Sequence, residues 1–252
     1  MGMMACGKND GAVQKSEKRK AGADEVEFFQ EQVQRNVSNL SEEELRKTTL
    51  AYMNEVNAVY WLGSQLDLCE PFDFAQLQKE CETENEDRES KKQSGEVYYG
   101  PDSLTLDIYF PYKYSALQSE IFQKILDERD KKLVADARKF YDKNPDIFTK
   151  LTAVTYEATT GGETTEHTIT SDQFKAFGQS NPQLMDFLAI AEDGEKMTID
   201  SGDAEYVVKK TGITTEKVEF EENERMVVEM FLNHEQFAKW IEQIAKRHEV
   251  EF

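Results

Sequence analysis

The residue types most suited to catalysis or metal binding are scarce in this chain of 252 residues. Its three histidines and three cysteines are His167, His234, His248, Cys6, Cys69 and Cys81. No histidine stands in a recognisable arrangement with a cysteine or serine nucleophile. The sequence also has no glycine-rich phosphate loop and no His-Glu-x-x-His motif. We therefore predict no catalytic residue, no metal site and no cofactor.

An acidic run is the next candidate for chemistry, as a calcium site or as a set of catalytic carboxylates. Its members are Glu80, Glu82, Glu84, Glu86 and Asp87. The run lacks the Asp-x-Asp-x-Asp-Gly loop pattern that calcium sites use. It lies on a helical segment that becomes almost wholly polar, so it indicates a solvated helix face.

The charge balance excludes one class of partner. With 50 acidic against 30 basic residues, the formal net charge is −20. Phosphate backbones attract clustered Lys and Arg, so the charge argues against generic nucleic-acid binding. No apolar run approaches the ~20 residues that span a bilayer. The 15 Phe and 10 Tyr are enough to build a core.

Residues 1–23 are polar and aperiodic, which predicts a disordered tether. The string Met4-Ala5-Cys6-Gly7 resembles the cleavage region of a bacterial lipoprotein, although no apolar signal helix precedes it. That resemblance implies a lipid on Cys6, an extracytoplasmic location and membrane anchoring. The alternative is a cytosolic N-terminus with a stray cysteine. Cys69 and Cys81 either pair outside the cytoplasm or remain two reduced core thiols.

Residues 24–148 carry helical signals. Val26, Phe29 and Val33 follow helical spacing, and Ser41 with Glu44 forms a capping-box signature that opens a long second helix. Pro71 and Asp73 predict a break in the chain followed by the start of a third helix. An aromatic stretch over 97–114 predicts mixed extended and turn conformations.

The aromatic stretch is also the candidate polypeptide-binding site, because aromatic rings contact many kinds of surface. Its candidate residues are Tyr98, Tyr99, Tyr109, Phe110, Tyr112 and Tyr114. The alternative is that these rings form the seam between two parts of the fold.

In the last hundred residues, the spacing of the apolar residues changes from helical to partly strand-like. Strand-like segments at 151–158, 165–169, 197–199 and 206–208 surround short helices, and a long helix begins near Glu221. We predict an α+β fold, mainly helical, with a disordered tether at 1–23. The helical domain of 24–148 is completed by 219–252, and the α/β module occupies 149–218. The final helix should pack back on the N-terminal part, burying Trp240.

Several segments resemble the secreted parvulin-type foldases, the SurA and PrsA group of peptidyl-prolyl isomerase-like chaperones. The residues of this resemblance are the 136–148 helix with Tyr141 and Asn144, the Leu184-x-x-Phe187-Leu188 helix before Gly194-Glu195, and Tyr206-Val207-Val208-Lys209. It implies an N-terminal helical chaperone domain, a parvulin-like module, and unfolded or secreted polypeptides as partners.

Active parvulins place histidines on the first and last strands of the module. Here those strands offer Tyr156 and Tyr206 instead. The resemblance therefore implies a degenerate pocket formed by Tyr156, Phe187 and Tyr206, with little isomerase activity. The leading hypothesis is an extracytoplasmic chaperone or foldase without efficient catalysis. The alternatives are a dedicated envelope adaptor for one partner and an isomerase that works through tyrosine and acidic residues.

Overall fold

A computed structural model describes residues 18–200 and 205–252. The chain is mainly helical with a small sheet module, which confirms the predicted α+β class. The helices are α1 (Ala23–Asn36), α2 (Glu42–Gln65), α3 (Phe74–Ser94), α4 (Leu106–Glu128), α5 (Lys131–Lys143), α6 (Phe174–Ser180), α7 (Pro182–Ile190), α8 (Glu224–Phe231) and α9 (Phe237–Ala245). The strands are β1 (Arg19–Lys20), β2 (Thr149–Thr160), β3 (Glu163–Thr170), β4 (Lys196–Asp200), β5 (Glu205–Lys217) and β6 (Val250–Glu251). A 3-10 turn (Pro145–Phe148) precedes β2, and a π-helical segment (Leu232–Gln236) joins α8 to α9.

The described residues divide into two compact units, one of residues 18–134 with 228–252 and the other of residues 135–227. The sequence predicted boundaries at 148/149 and 218/219. In the structure, α5 lies mostly in the second unit. Across the described residues, no helix combines the length and apolar character needed to cross a membrane.

The first unit is built on α2, whose start confirms the predicted capping box. The Ser41 side chain accepts from the Glu44 backbone N–H, and the Glu44 carboxylate accepts from the Ser41 backbone N–H. Pairing of these donors stabilises the first turn. Helix α3 begins in the same way, with Asp73 accepting from Gln76 N at 2.9 Å. Both starts follow from the local sequence.

The core of this unit is rich in aromatic rings from α1 and α4. Phe29 and Phe110 are fully buried, and their ring centroids lie 5.4 Å apart at 88°. Phe28 contacts both rings edge to face. Such edge-to-face pairs stabilise a core beyond the area that they bury.

The C-terminal helix α9 packs on α2 within this unit. Ile241 and Ile244 are buried in the same core as Val56 and Val59. Trp240 is only partly buried, so the prediction that it lies in the core is wrong. Its neighbour Ile241 fills that position instead, one residue further round the helix.

The predicted tether is ordered at its C-terminal end. β1 pairs in parallel with β6, Arg19 opposite Val250, although residues 18–22 fall in the segment predicted to be disordered. Arg19 also forms a two-point ion pair with Glu25, whose side chain is only 4% exposed. These contacts supply the ordering free energy that the polar composition does not reveal. Residues 1–17, with Cys6, lie outside the described range.

The second unit contains a four-stranded antiparallel sheet in the order β3-β2-β5-β4. A Gly161-Gly162 turn, with φ of +60° and +88°, joins β2 to β3. Helices α6 and α7 cover one face, where Leu184 and Leu188 pack on Val154 and Val208. The segments predicted at 151–158 and 165–169 are the middles of β2 and β3, which extend further in both directions.

Candidate polypeptide-binding surface

The segment between α3 and α4 holds the most exposed aromatic residue of the candidate set. Tyr99 is 87% exposed and Val97 is 80% exposed. Tyr112, on the first turns of α4, is 73% exposed. Large apolar side chains held in solvent in this way are available to a partner.

Side chains of α3 fix the backbone of this segment. The Arg88 guanidinium donates from Nη1 to the carbonyl oxygens of Tyr99 at 3.1 Å and Pro101 at 2.9 Å. The Asn85 side chain accepts from Leu104 N at 2.7 Å and donates to Leu104 O at 2.9 Å. Both ends of the segment are therefore tied to α3, and the exposed side chains are presented on a supported backbone.

Tyr98 belongs to the support and not to the exposed set. Its hydroxyl donates to Asp102 at 2.7 Å, and Arg88 lies over its ring. Lys92 also contacts Asp102, at 2.6 Å. The Lys92 ammonium and the Tyr98 hydroxyl lower the pKa of Asp102, because both donate to the carboxylate. That same hydrogen bond raises the pKa of Tyr98.

The three remaining candidates lie in the core. Tyr109, Phe110 and Tyr114 are at most 8% exposed, because residues 106–114 are the start of α4 and not the predicted extended chain. The Tyr114 hydroxyl donates to Glu55 at 3.1 Å. Burial raises the pKa of Tyr114, and the nearby Glu55 charge adds to the shift. These three rings build the unit, so only Tyr99 and Tyr112 present a free face.

The structure brings together two of the three residues of the predicted degenerate pocket. Tyr156 on β2 is 7% exposed and Phe187 on α7 packs against the same core. Tyr206 is 38% exposed on β5. It lies four residues from Lys210, the cross-strand partner of Tyr156, or roughly 13 Å along the strand. The module therefore has no pocket common to all three side chains.

His167 is the neighbour of Tyr156 that the sequence did not reveal. The two residues face each other across β2 and β3, and their rings stack with centroids 5.0 Å apart. On the other side, Lys210 is buried and donates to Ala191 O at 2.7 Å. Burial raises the pKa of Tyr156. A His-Tyr-Lys row thus crosses the sheet; the β2–β3 register places His167, and the pairing of Lys210 follows a register shift between β2 and β5.

The remaining candidates for chemistry are the two cysteines of the first unit and clusters of metal-binding side chains. Cys69 and Cys81 are free thiols, so the open question of their pairing is answered against a disulfide. Within residues 18–200 and 205–252, no cluster of three or more His, Cys, Asp or Glu side chains is arranged to hold a metal ion.

Comparisons with known proteins give limited likenesses. No protein-family profile matches the chain, and no curated protein matches it. Two solved structures, described as the SurA-like chaperones PEB4 and Cj1289 of Campylobacter jejuni, are similar to it. One has a TM-score of 0.34 and 13% identity, over 86% of this chain and 88% of its own. The other has a TM-score of 0.23 and 14% identity, over 92% and 96%. These TM-scores and identities are too low to indicate a function, so the proposal below is argued from the residues of this chain.

Proposed function

We propose that this protein binds extended or unfolded polypeptide in the manner of a chaperone, without efficient prolyl isomerase activity. The observation that carries the proposal is the supported display of Tyr99 and Tyr112. Both rings are more than 70% exposed, while the Arg88 contacts hold the segment of Tyr99 against α3. A ring kept in solvent on an ordered backbone binds without the cost of ordering that backbone.

The composition of the surface supports a polypeptide as the ligand. Tyrosine offers apolar area with few rotatable bonds and a polar tip, which suits contact with many sequences. Tyr109, Phe110 and Tyr114, on the buried face of α4, provide a rigid base for Tyr112 on the same helix. The proposed client is a chain segment with exposed apolar side chains.

The test is binding of a permanently unfolded, fluorescently labelled polypeptide, measured by anisotropy, together with suppression of its aggregation. The double change Tyr99→Ser and Tyr112→Ser should weaken binding about tenfold, because two anchoring rings are lost. Ile190→Ser is the matched control, since Ile190 is 85% exposed but lies on α7. Equal affinities for both variants and the wild type contradict the proposal. Binding restricted to one protein at one-to-one stoichiometry supports the adaptor alternative.

The proposed location is extracytoplasmic, with a lipid on Cys6 that anchors the protein to the membrane. The support is the Met4-Ala5-Cys6-Gly7 string, which places a small residue and glycine around the cysteine. Two acyl chains anchor a protein stably where one is marginal. Fractionation of cells that express the natural precursor, beside its Cys6→Ala form, tests the anchor. Equal solubility of the two forms contradicts it.

A further inference from the structure

The outer edge of strand β3 is open in the sheet of the second unit. β3 lies at one end of the sheet order, and in the described part of the chain its strand partner is β2 alone. Residues 163–168 are all exposed. Native proteins protect such an edge with lysine, proline or a β-bulge, because its free backbone groups can pair with another chain. β3 contains no lysine or proline, and its pairing with β2 has no register shift.

The hairpin turn fixes which backbone groups of β3 point outward. Gly161 and Gly162 form a two-residue turn with positive φ at both positions, and Thr160 pairs with Glu163 across it. In such a hairpin the flanking pair exchanges both hydrogen bonds, and hydrogen-bonded pairs then alternate with non-hydrogen-bonded pairs. The residues whose N–H and C=O groups point away from β2 are therefore Thr164, Glu166, Thr168 and Thr170.

Gln173 closes the last of these positions and agrees with this alternation. Its side-chain Oε1 accepts from the Thr170 N–H at 3.1 Å, and its own N–H donates to the Thr170 carbonyl oxygen at 2.8 Å. No hydrogen bond within the described residues reaches the outward backbone groups of Thr164, Glu166 and Thr168. Each of these three residues offers one donor and one acceptor to an added strand.

A row of charged side chains is incomplete at the same edge. Lys209 of β5, Glu157 of β2 and Glu166 of β3 are consecutive cross-strand partners. Lys209 Nζ lies 3.3 Å from the Glu157 carboxylate, so these two charges compensate each other. Glu157 and Glu166 are like charges directly opposite, which destabilises a sheet. A lysine or arginine opposite Glu166 on an added strand restores the alternation of sign.

We propose that the β3 edge binds an extended basic segment of a client polypeptide as an added antiparallel strand, with lysine or arginine opposite Glu166. This inference rests on the proposed function and specifies one class of client segment. A second copy of this chain fits poorly, because its β3 has two glutamates and no lysine or arginine and brings more negative charge beside Glu166. The client residue next to the basic one lies beside the exposed His167, where an aromatic ring extends the stack of His167 on Tyr156.

The test uses the capped pentapeptide acetyl-Val-Tyr-Lys-Val-Thr-amide, titrated into the isotope-labelled full chain and followed by NMR. In the antiparallel register its tyrosine lies opposite His167 and its lysine opposite Glu166. At saturating peptide, amide hydrogen exchange should slow at Thr164, Glu166 and Thr168. The amides of Thr165 and His167, which already pair with β2, should change little. Uniform slowing at all five positions, or no slowing, overturns the proposal.

Methylation of single peptide nitrogens separates backbone pairing from side-chain contact. A methyl group on the lysine nitrogen removes a donor that faces the edge and should weaken binding about tenfold. A methyl group on the tyrosine nitrogen, whose N–H faces solvent in the same register, is the matched control and should leave the affinity unchanged. Replacing the lysine by glutamine should weaken binding about twofold to fivefold. Equal losses from the two methylated peptides overturn the proposal.

The variant Glu166→Lys locates the charge contact. It should reverse the preference, so that the peptide with glutamate in place of lysine binds more tightly. Its melting temperature should be unchanged or higher, because the repulsion between Glu157 and Glu166 is removed. Glu86→Lys makes the same charge change at an exposed position of α3 and should keep the original preference. The same shift in both variants indicates a long-range charge effect and overturns the site.

The two proposals fail in different ways. Alternating amide protection by the pentapeptide, without any binding of unfolded polypeptide, supports the β3 edge and contradicts the chaperone-like function. Binding of unfolded polypeptide that depends on Tyr99 and Tyr112, with no protection of the β3 amides and no effect of Glu166→Lys, does the reverse.

Discussion

Arg88 holds Tyr99 by its backbone and leaves its ring free. Nη1 of Arg88 lies 3.1 Å from the Tyr99 carbonyl oxygen, and Glu84 contacts Nε of the same guanidinium at 2.8 Å. The side chain of Tyr99 points away from this network into solvent, with 87% of its area exposed. One arginine thus sets the conformation of a segment without covering the ring that it presents.

The first prediction concerns this support. Arg88→Gln removes charge-assisted hydrogen bonds to two carbonyls, so residues 96–103 should exchange their amide hydrogens faster and affinity for unfolded polypeptide should fall severalfold. The free energy of unfolding should change by only about 1–2 kcal/mol. Lys91→Gln, which breaks an exposed pair with Asp87 on the same helix, is the control and should leave both unchanged. Unaltered exchange in Arg88→Gln contradicts the role.

The second prediction concerns Gly63, on α2. A Cβ at this position lies 2.7 Å from Cys69 Sγ and 3.2 Å from Leu117 Cδ1. The sulfur is one rotatable bond from the backbone, so Gly63→Ala should destabilise the protein by about 1–2 kcal/mol despite the better helix propensity of alanine. Urea denaturation of the variant measures the loss.

A double-mutant cycle separates the clash from other causes. In a Cys69→Ala background the sulfur is absent, and Gly63→Ala should become neutral or stabilising by up to about 1 kcal/mol. Additive losses in the two backgrounds would show that the contact with Cys69 is not the reason for glycine at this position.

The helix starts of the first unit were predictable because their determinants are local. Ser41 and Glu44 satisfy each other within one turn, and Asp73 does the same for α3. The start of α4 was not, since Pro111 and the neighbouring rings favour extended chain when considered alone. In the fold, packing of Phe110 on Phe29 outweighs that preference, although Pro111 lies inside the helix and removes one backbone hydrogen bond.

The candidate site divides along the same line. Tyr99 and Tyr112 could be predicted as contact residues because they are tyrosines in an aromatic stretch. The sequence of that stretch does not indicate which of its rings face solvent. The pairing of Arg19 with Val250 depends on residues that are far apart in sequence. Such relationships have no signature in a window of local sequence.

The third prediction concerns the thiols. Burial is the main cause that raises the pKa of Cys69 and of Cys81, and carboxylates close by add to both shifts. Alkylation by iodoacetamide in a Cys6→Ser background should therefore have its pH midpoint above the ordinary thiol value of 9.0. In urea the midpoint should return to that value. A folded-state midpoint at or below it contradicts the prediction.

The same shifts fix the sign of a pH effect on stability. Because the folded protein favours the neutral thiols, their contribution is fully present below the unfolded pKa. It is lost as pH rises through the folded pKa, since the unfolded chain releases its protons first. Replacement of both cysteines by alanine should flatten the fall in stability above pH 9, measured by urea denaturation.

The fourth prediction concerns prolyl isomerisation. Tyr156 is packed against His167 and buried, and Tyr206 lies too far along β5 to enclose the same prolyl ring. A tetrapeptide assay should show rates at or near the spontaneous value, which corresponds to tens of seconds or longer. His167→Ala and Tyr156→Phe should leave the rate unchanged. Turnover well above background that either change abolishes would establish the tyrosine-based isomerase instead.

The parallel pairing of β1 with β6 has a consequence during synthesis. Arg19 leaves the ribosome long before its partner Val250, and α2 likewise precedes Ile241 and Ile244, with which it shares a core. The first unit therefore cannot close while the chain is growing, whereas all strands of the second unit are already available. Nascent chains should carry a folded sheet module beside open helices whose apolar faces are still uncovered. A protein of this kind depends, for a time, on the same protection from aggregation that we propose it gives to others.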